Sequence, residues 1–85
     1  MFYVYILVSE KKGVRFYVGM TEDVEERLKE HNSGKTKSTK GYLPWKLFKT
    51  ESFQTRIEAR KKEKYLKTGS AKERIRENWQ KSQNY

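Results

Sequence analysis

The chain predicts a small α+β fold: a three-stranded, mostly antiparallel sheet flanked by helices, in the order β-β-α-β-α-α. Three observations carry this. The run from Phe2 to Val8 is rich in β-branched and aromatic residues, as a strand buried on both faces would be. A polar turn, Ser9 to Gly13, separates it from a second short run, Val14 to Val18, which reads as the returning strand of an antiparallel hairpin. Downstream, helical spacing dominates, with one loosely alternating strand-like stretch from Trp45 to Phe53.

The remaining elements follow in order. Thr21 is expected to cap the first helix, with Glu22 and Asp23 suiting the positive end of its dipole. That helix should run to about Glu30 or His31 and stop near Asn32 to Gly34. Its apolar positions, Val24 and Leu28, extend by helical spacing to a stripe at 24, 27, 28 and 31. Arg27 and His31 thus fall on the inward stripe, where polar side chains are unexpected. Gly34 to Pro44 is basic and turn-rich, and Trp45 should pack beneath it. Thr55 to Lys67 reads as a second helix closed by Gly69. Ser70 to Glu73 has the pattern of a capping box and should open a third helix that buries Ala71, Ile75 and Trp79. The domain is placed at residues 1–80, and residues 81–85 are expected to be a frayed tail.

Composition bounds the function. Eighty-five residues allow one domain, and with 34% hydrophobic residues its core must be thin. So thin a core leaves room for a homodimer or for a partner protein that supplies targeting. Twenty Lys and Arg against eleven Asp and Glu give a net charge of +9, a field that attracts polyanions and makes nucleic acid the leading partner. The absence of cysteine excludes disulfides and thiolate zinc sites and suits a reducing compartment. The apolar start is too short for a membrane span and has no basic flank of the signal-peptide kind, so a cytoplasmic location without membrane contact is expected.

Several side chains invite a chemical reading beside an ordinary one. Tyr3 and Tyr5 share a strand face, and strand tyrosines commonly just pack. Gly19 marks a bend or a close backbone approach at a strand end. Arg27 either lays its stem along the core or aims its guanidinium at an anion. His31, the one histidine, would ordinarily cap a helix C-terminus. Glu63 lies in a narrow arc with Ala59 and Leu66, on or beside the buried stripe, yet it would ordinarily be a surface partner of Lys67. Lys35, Thr36, Lys37, Thr39 and Lys40 combine cations and hydroxyls as phosphate contacts do, with Lys46 and Lys49 extending the patch, although most charge runs are merely solvated.

The triplets Tyr3-Val4-Tyr5 and Tyr17-Val18-Gly19, followed by Arg27 and His31, resemble the GIY-YIG nuclease family. The likeness is to its small single-domain form, similar to the N-terminal domain of excision-repair nucleases, and it covers nearly the whole chain. The first triplet departs from the family pattern by carrying Tyr3 and Val4 for Gly and Ile, a change a strand accommodates.

The resemblance implies a metal-dependent endonuclease that hydrolyses phosphodiesters, with DNA the leading substrate. Tyr5 and Tyr17 would position or activate water, Arg27 would stabilise the phosphate, and His31 would support a tyrosine or the phosphate. Glu63, just before Leu66-Lys67, would hold one Mg²⁺ or Mn²⁺. A nearby metal and Arg27 would favour the phenolate form of a catalytic tyrosine. Asn78 is a weaker match to a polar residue on the last helix, and exposure to solvent is its ordinary reading. The alternative on the same scaffold is a basic nucleic-acid-binding module without catalysis.

Overall fold

The computed structural model describes residues 1–83; Asn84 and Tyr85 lie outside the described residues. Three strands, β1 (Phe2–Ser9), β2 (Arg15–Thr21) and β3 (Lys46–Phe53), form one sheet in the order β2-β1-β3. β1 is central and antiparallel to both neighbours. Helix α1 (Val24–Asn32) follows β2, and α2 (Arg56–Leu66) and α3 (Gly69–Gln83) follow β3. The element order is the expected one.

Because β1 is covered on both sides, its residues from Val4 to Ser9 are all buried. Alternation sends them to two different surroundings. Val4 and Ile6 join Val18, Ala59 of α2 and Ile75 of α3 in a hydrocarbon core, rimmed by phenylalanines and Leu66. Tyr5 and Leu7 face the other way, toward Trp45, Tyr17, Tyr42, Leu43 and the α1 residues Val24 and Leu28. A register shift between Ile6 and Leu7 pairs them with Lys49 and Leu47 and takes Phe48 out of step. Phe48 then packs with Phe16 and edge-on to Trp79 at 5.2 Å, so α3 is held through Ala71, Ile75 and half-buried Trp79, as its spacing foretold.

Three local expectations are corrected. The N-cap of α1 is Asp23, whose carboxylate accepts from the Glu26 amide at 3.1 Å. Thr21 remains in β2, its hydroxyl accepting from the Asp23 amide in a local turn, because the hairpin pairing extends to Tyr3 opposite Thr21. Gly69 is the first residue of α3 and not the terminator of α2. Positive φ among the described glycines occurs at Gly13 and at Gly34, the latter following the end of α1, so Gly69 is not a left-handed cap. The hydroxyl cap of α3 is Thr68, which accepts from the Ala71 amide at 3.4 Å, while the Thr-x-x-Glu arrangement proper opens α2, at Thr55 and Glu58. At the other end α3 extends to Gln83. Among the described residues no helix is long and apolar enough to cross a membrane.

Candidate active site

The polar face of the sheet holds the candidate chemistry. Tyr5 pairs across the hairpin with Gly19, and its ring lies flat over that residue. A Cβ at position 19 would overlap the Tyr5 hydroxyl, so glycine is required by a close approach inside β2. This corrects the expectation of a strand-end bend: β2 runs on to Thr21, and α1 turns back only after it.

Helix α1 then lays its stripe over the tyrosines. Positions 24, 27 and 28 are half-buried and His31 is fully buried, matching the helical spacing. The His31 ring stands edge-on to Tyr17 at 4.8 Å between centroids, and Tyr5 and Tyr17 are tilted together at 6.4 Å. Tyr5 is 2% exposed, whereas Tyr17 is half-buried, so Tyr17 is the tyrosine that meets solvent.

His31 makes two side-chain hydrogen bonds. Nε2 is 3.0 Å from the Tyr5 hydroxyl, and Nδ1 is 2.9 Å from the Thr39 hydroxyl. Thr39 donates its own proton to the Thr36 carbonyl, so toward His31 its oxygen accepts. That assigns the proton to Nδ1 and leaves Nε2 to accept from Tyr5. Burial, followed by the Arg27 charge, holds the His31 pKa below the usual histidine value, which keeps this ring neutral at neutral pH.

Burial likewise raises the Tyr5 pKa above the ordinary phenol value. Arg27, as neighbouring donor and charge, works in the opposite direction but does not prevail, and the Tyr17 and Glu63 charges add to the rise. Without a metal, Tyr5 is thus a protonated donor. Tyr5 in return raises the Arg27 pKa. The well-formed hydrogen bond of Arg27 runs to Glu30 at 2.8 Å, on a side chain about a third exposed and open to an anion.

The segment after α1 builds the wall behind His31. Asn32 clamps Trp45 twice, donating to its carbonyl at 3.0 Å and accepting from its amide at 2.7 Å. The Trp45 indole N–H donates to the Thr39 carbonyl at 2.9 Å. Trp45 is thus packed beneath the loop as expected. Thr39 is wholly buried, which corrects its place among the phosphate contacts: its hydroxyl is committed to His31 and cannot reach a phosphate. Thr36 is half-buried, and Lys35, Lys37, Lys40 and Lys46 are exposed. No local pattern marks Asn32 or the inward turn of Thr39.

Glu63 projects from α2 with its side chain only 16% exposed, 3.2 Å from Lys67 and 3.8 Å from Arg60. Its charge is the smallest of the influences that raise the Tyr5 pKa. Asn78 is exposed in a groove with Lys49 and Arg74 on the other face of the sheet. Among the described residues no group of three or more His, Asp or Glu could cage a metal. The candidate donor is the Glu63 carboxylate, a hard oxygen that suits a largely hydrated divalent ion, which would share it with Lys67 and Arg60.

Aromatic hydroxyls from two adjacent strands thus lie beside an arginine on a crossing helix in a strongly basic domain. The chain belongs to the GIY-YIG family: the model of the GIY-YIG catalytic domain matches residues 1–78. Members of this nuclease family generally use divalent metal ions and act on nucleic acid. Similar proteins include a UPF0213 protein of Bacillus licheniformis, 41% identical over 73 residues that cover 85% of this chain and 75% of that protein. Another, from Staphylococcus saprophyticus, is 36% identical over 73 residues, 85% of this chain and 89% of that protein. A third, from the archaeon Haloquadratum walsbyi, is 39% identical over 67 residues, 78% of this chain and 75% of that protein. No solved structure matches the chain.

Proposed function

We propose that this domain is an endonuclease that hydrolyses phosphodiester bonds, with DNA its leading substrate and one Mg²⁺ or Mn²⁺ held through Glu63. The observation that carries this reading is the contact set around His31, which joins a solvent-facing Tyr17 to a buried Tyr5 under the Arg27 guanidinium. Such an ion would neutralise phosphate charge and support the leaving oxygen.

The protein's own residues divide the remaining work. Tyr17 faces the substrate and orients the attacking water through its hydroxyl. Tyr5 donates to Nε2 of neutral His31, and His31 is fixed in turn by Thr39. This pair holds the Tyr17 ring at its angle. Arg27 meets the non-bridging phosphate oxygens, where its fixed charge and fork of donors matter most as negative charge grows.

The test is Glu63→Gln, assayed on flaps, junctions, single strands and duplexes with Mg²⁺, Mn²⁺ or chelator. The expected outcome is loss of divalent-dependent cleavage with nucleic-acid binding retained. Unchanged turnover would remove Glu63 from the site. Binding without cleavage by the unaltered protein, on every substrate and with either ion, would replace this reading by the non-catalytic binding module.

A further inference from the structure

A second cationic surface lies apart from the lysine-rich loop. A groove follows the outer side of β2, which is an edge strand with no neighbour beyond it. Tyr17 is among the residues that line it. Its walls carry Lys12 and Arg15 from the hairpin, Lys67 from the α2–α3 link, and Lys72 and Arg76 from α3. All five are exposed, and no carboxylate residue lines the groove.

Lys67 is held by Glu63, but none of the ion pairs among the described residues engages Lys12, Arg15, Lys72 or Arg76. Lys12 and Arg15 are instead stacked over the Tyr42 ring, with Arg15 at 4.7 Å, which orders them without neutralising them. The groove on the β3 side differs. It is lined by Glu51 as well as by cations, and its Lys62 is tied to that carboxylate at 3.5 Å.

We infer that the groove along the β2 edge, with Lys12, Arg15, Lys67, Lys72 and Arg76, is a track for the phosphodiester backbone of a nucleic-acid strand, laid so that it passes Tyr17. This rests on the nuclease reading of the Tyr17 site and adds the path by which substrate reaches it. Unpaired cations spaced along an extended groove suit a repeating anion. The apolar floor of Phe16, Val18 and Ile75 suits sugars and bases between phosphates. Lys72 and Arg76 lie one helical turn apart, so both face the groove together.

The test measures binding without divalent ions, so that it does not depend on cleavage. Anisotropy of a labelled single-stranded oligonucleotide is titrated at a series of salt concentrations with three proteins: the unaltered chain, Lys72→Ala/Arg76→Ala, and Lys35→Ala/Lys37→Ala/Lys40→Ala. The groove variant should lose about 1.4 units of log–log salt slope and roughly tenfold in affinity near physiological salt. Lys72→Arg/Arg76→Lys should bind as the unaltered chain does, which separates charge from folding. A slope unchanged in the groove variant and reduced only in the loop variant would overturn the track and leave the nuclease reading standing. Failure of the unaltered chain to bind any oligonucleotide would overturn both. A polyglutamate peptide bound as tightly as the oligonucleotide would also overturn the track, by marking the β2 edge as a site for an acidic chain.

Discussion

The two faces of β1 are built from the same eight-residue strand and solve opposite problems. On the α2–α3 face, Val4 and Ile6 meet hydrocarbon, and the alanines Ala59 and Ala71 let the helices approach closely. On the α1 face, Tyr5 is buried just as deeply, but against an imidazole and a threonine hydroxyl. The first face needs only volume. The second needs every donor matched with an acceptor, and among the described residues no buried side-chain polar atom lacks a partner. On the proposed reading, the hydrocarbon face can be altered for stability, whereas the other carries the two tyrosines and His31.

The sharpest way to break this comparison is to damage each face separately. Ile6→Ala removes a side chain 6% exposed from the hydrocarbon face and should cost about 2–5 kcal/mol, a large share of the stability of so small a domain. Its cleavage rate per folded molecule should stay near that of the unaltered chain. Thermal melting and an active-fraction-corrected assay would show this, and a large drop in rate per folded molecule would mean that the faces are coupled.

Arg27→Ala is the complementary change. It should slow cleavage roughly a hundredfold, about 2.7 kcal/mol on the barrier, while circular dichroism reports an intact fold. Normal cleavage by this variant, or its unfolding, would assign Arg27 to packing.

The smallest expected effect is the acid limb of stability. His31 has a folded-state pKa below its ordinary value of 6.5, so the unfolded chain takes up the extra proton first. Its stabilising share is complete above about pH 6.5 and declines as pH falls below that value, until the folded imidazole itself titrates. Melting temperature followed from pH 7 downward should fall more steeply for the unaltered chain than for His31→Phe, which has no imidazole to charge. Parallel curves would show that the ring is not held neutral in the fold.

Much of the molecule was legible in its residues. The apolar run from Phe2, the turn with Gly13 and the helical stripe at 24, 27, 28 and 31 are local patterns, and period alone places them in strands and helices. The positive charge and the two tyrosine triplets point to nucleic acid and to a nuclease family, because charge and short motifs survive without knowledge of contacts. Element edges were less legible. Thr21 looks like a cap and is a strand residue, since pairing to Tyr3 decides where β2 ends. Gly69 looks like a terminator and opens a helix, since the backbone at that point needs no left-handed turn.

The interior of the site was decided only by tertiary structure. Tyr5 meets His31 across 26 positions, His31 meets Thr39 across 8, and Asn32 meets Trp45 across 13. None of these pairs lies within a single helix or strand. A hydroxyl in a basic loop looks the same in sequence whether it faces a phosphate or a buried imidazole. The sequence by itself determined the strands, the stripe and the sign of the field, because those depend on neighbours along the chain. Which tyrosine is buried, which threonine turns inward and why residue 19 has no side chain were settled by packing, because each depends on atoms brought together only when the hairpin, α1 and the loop close over one face of the sheet.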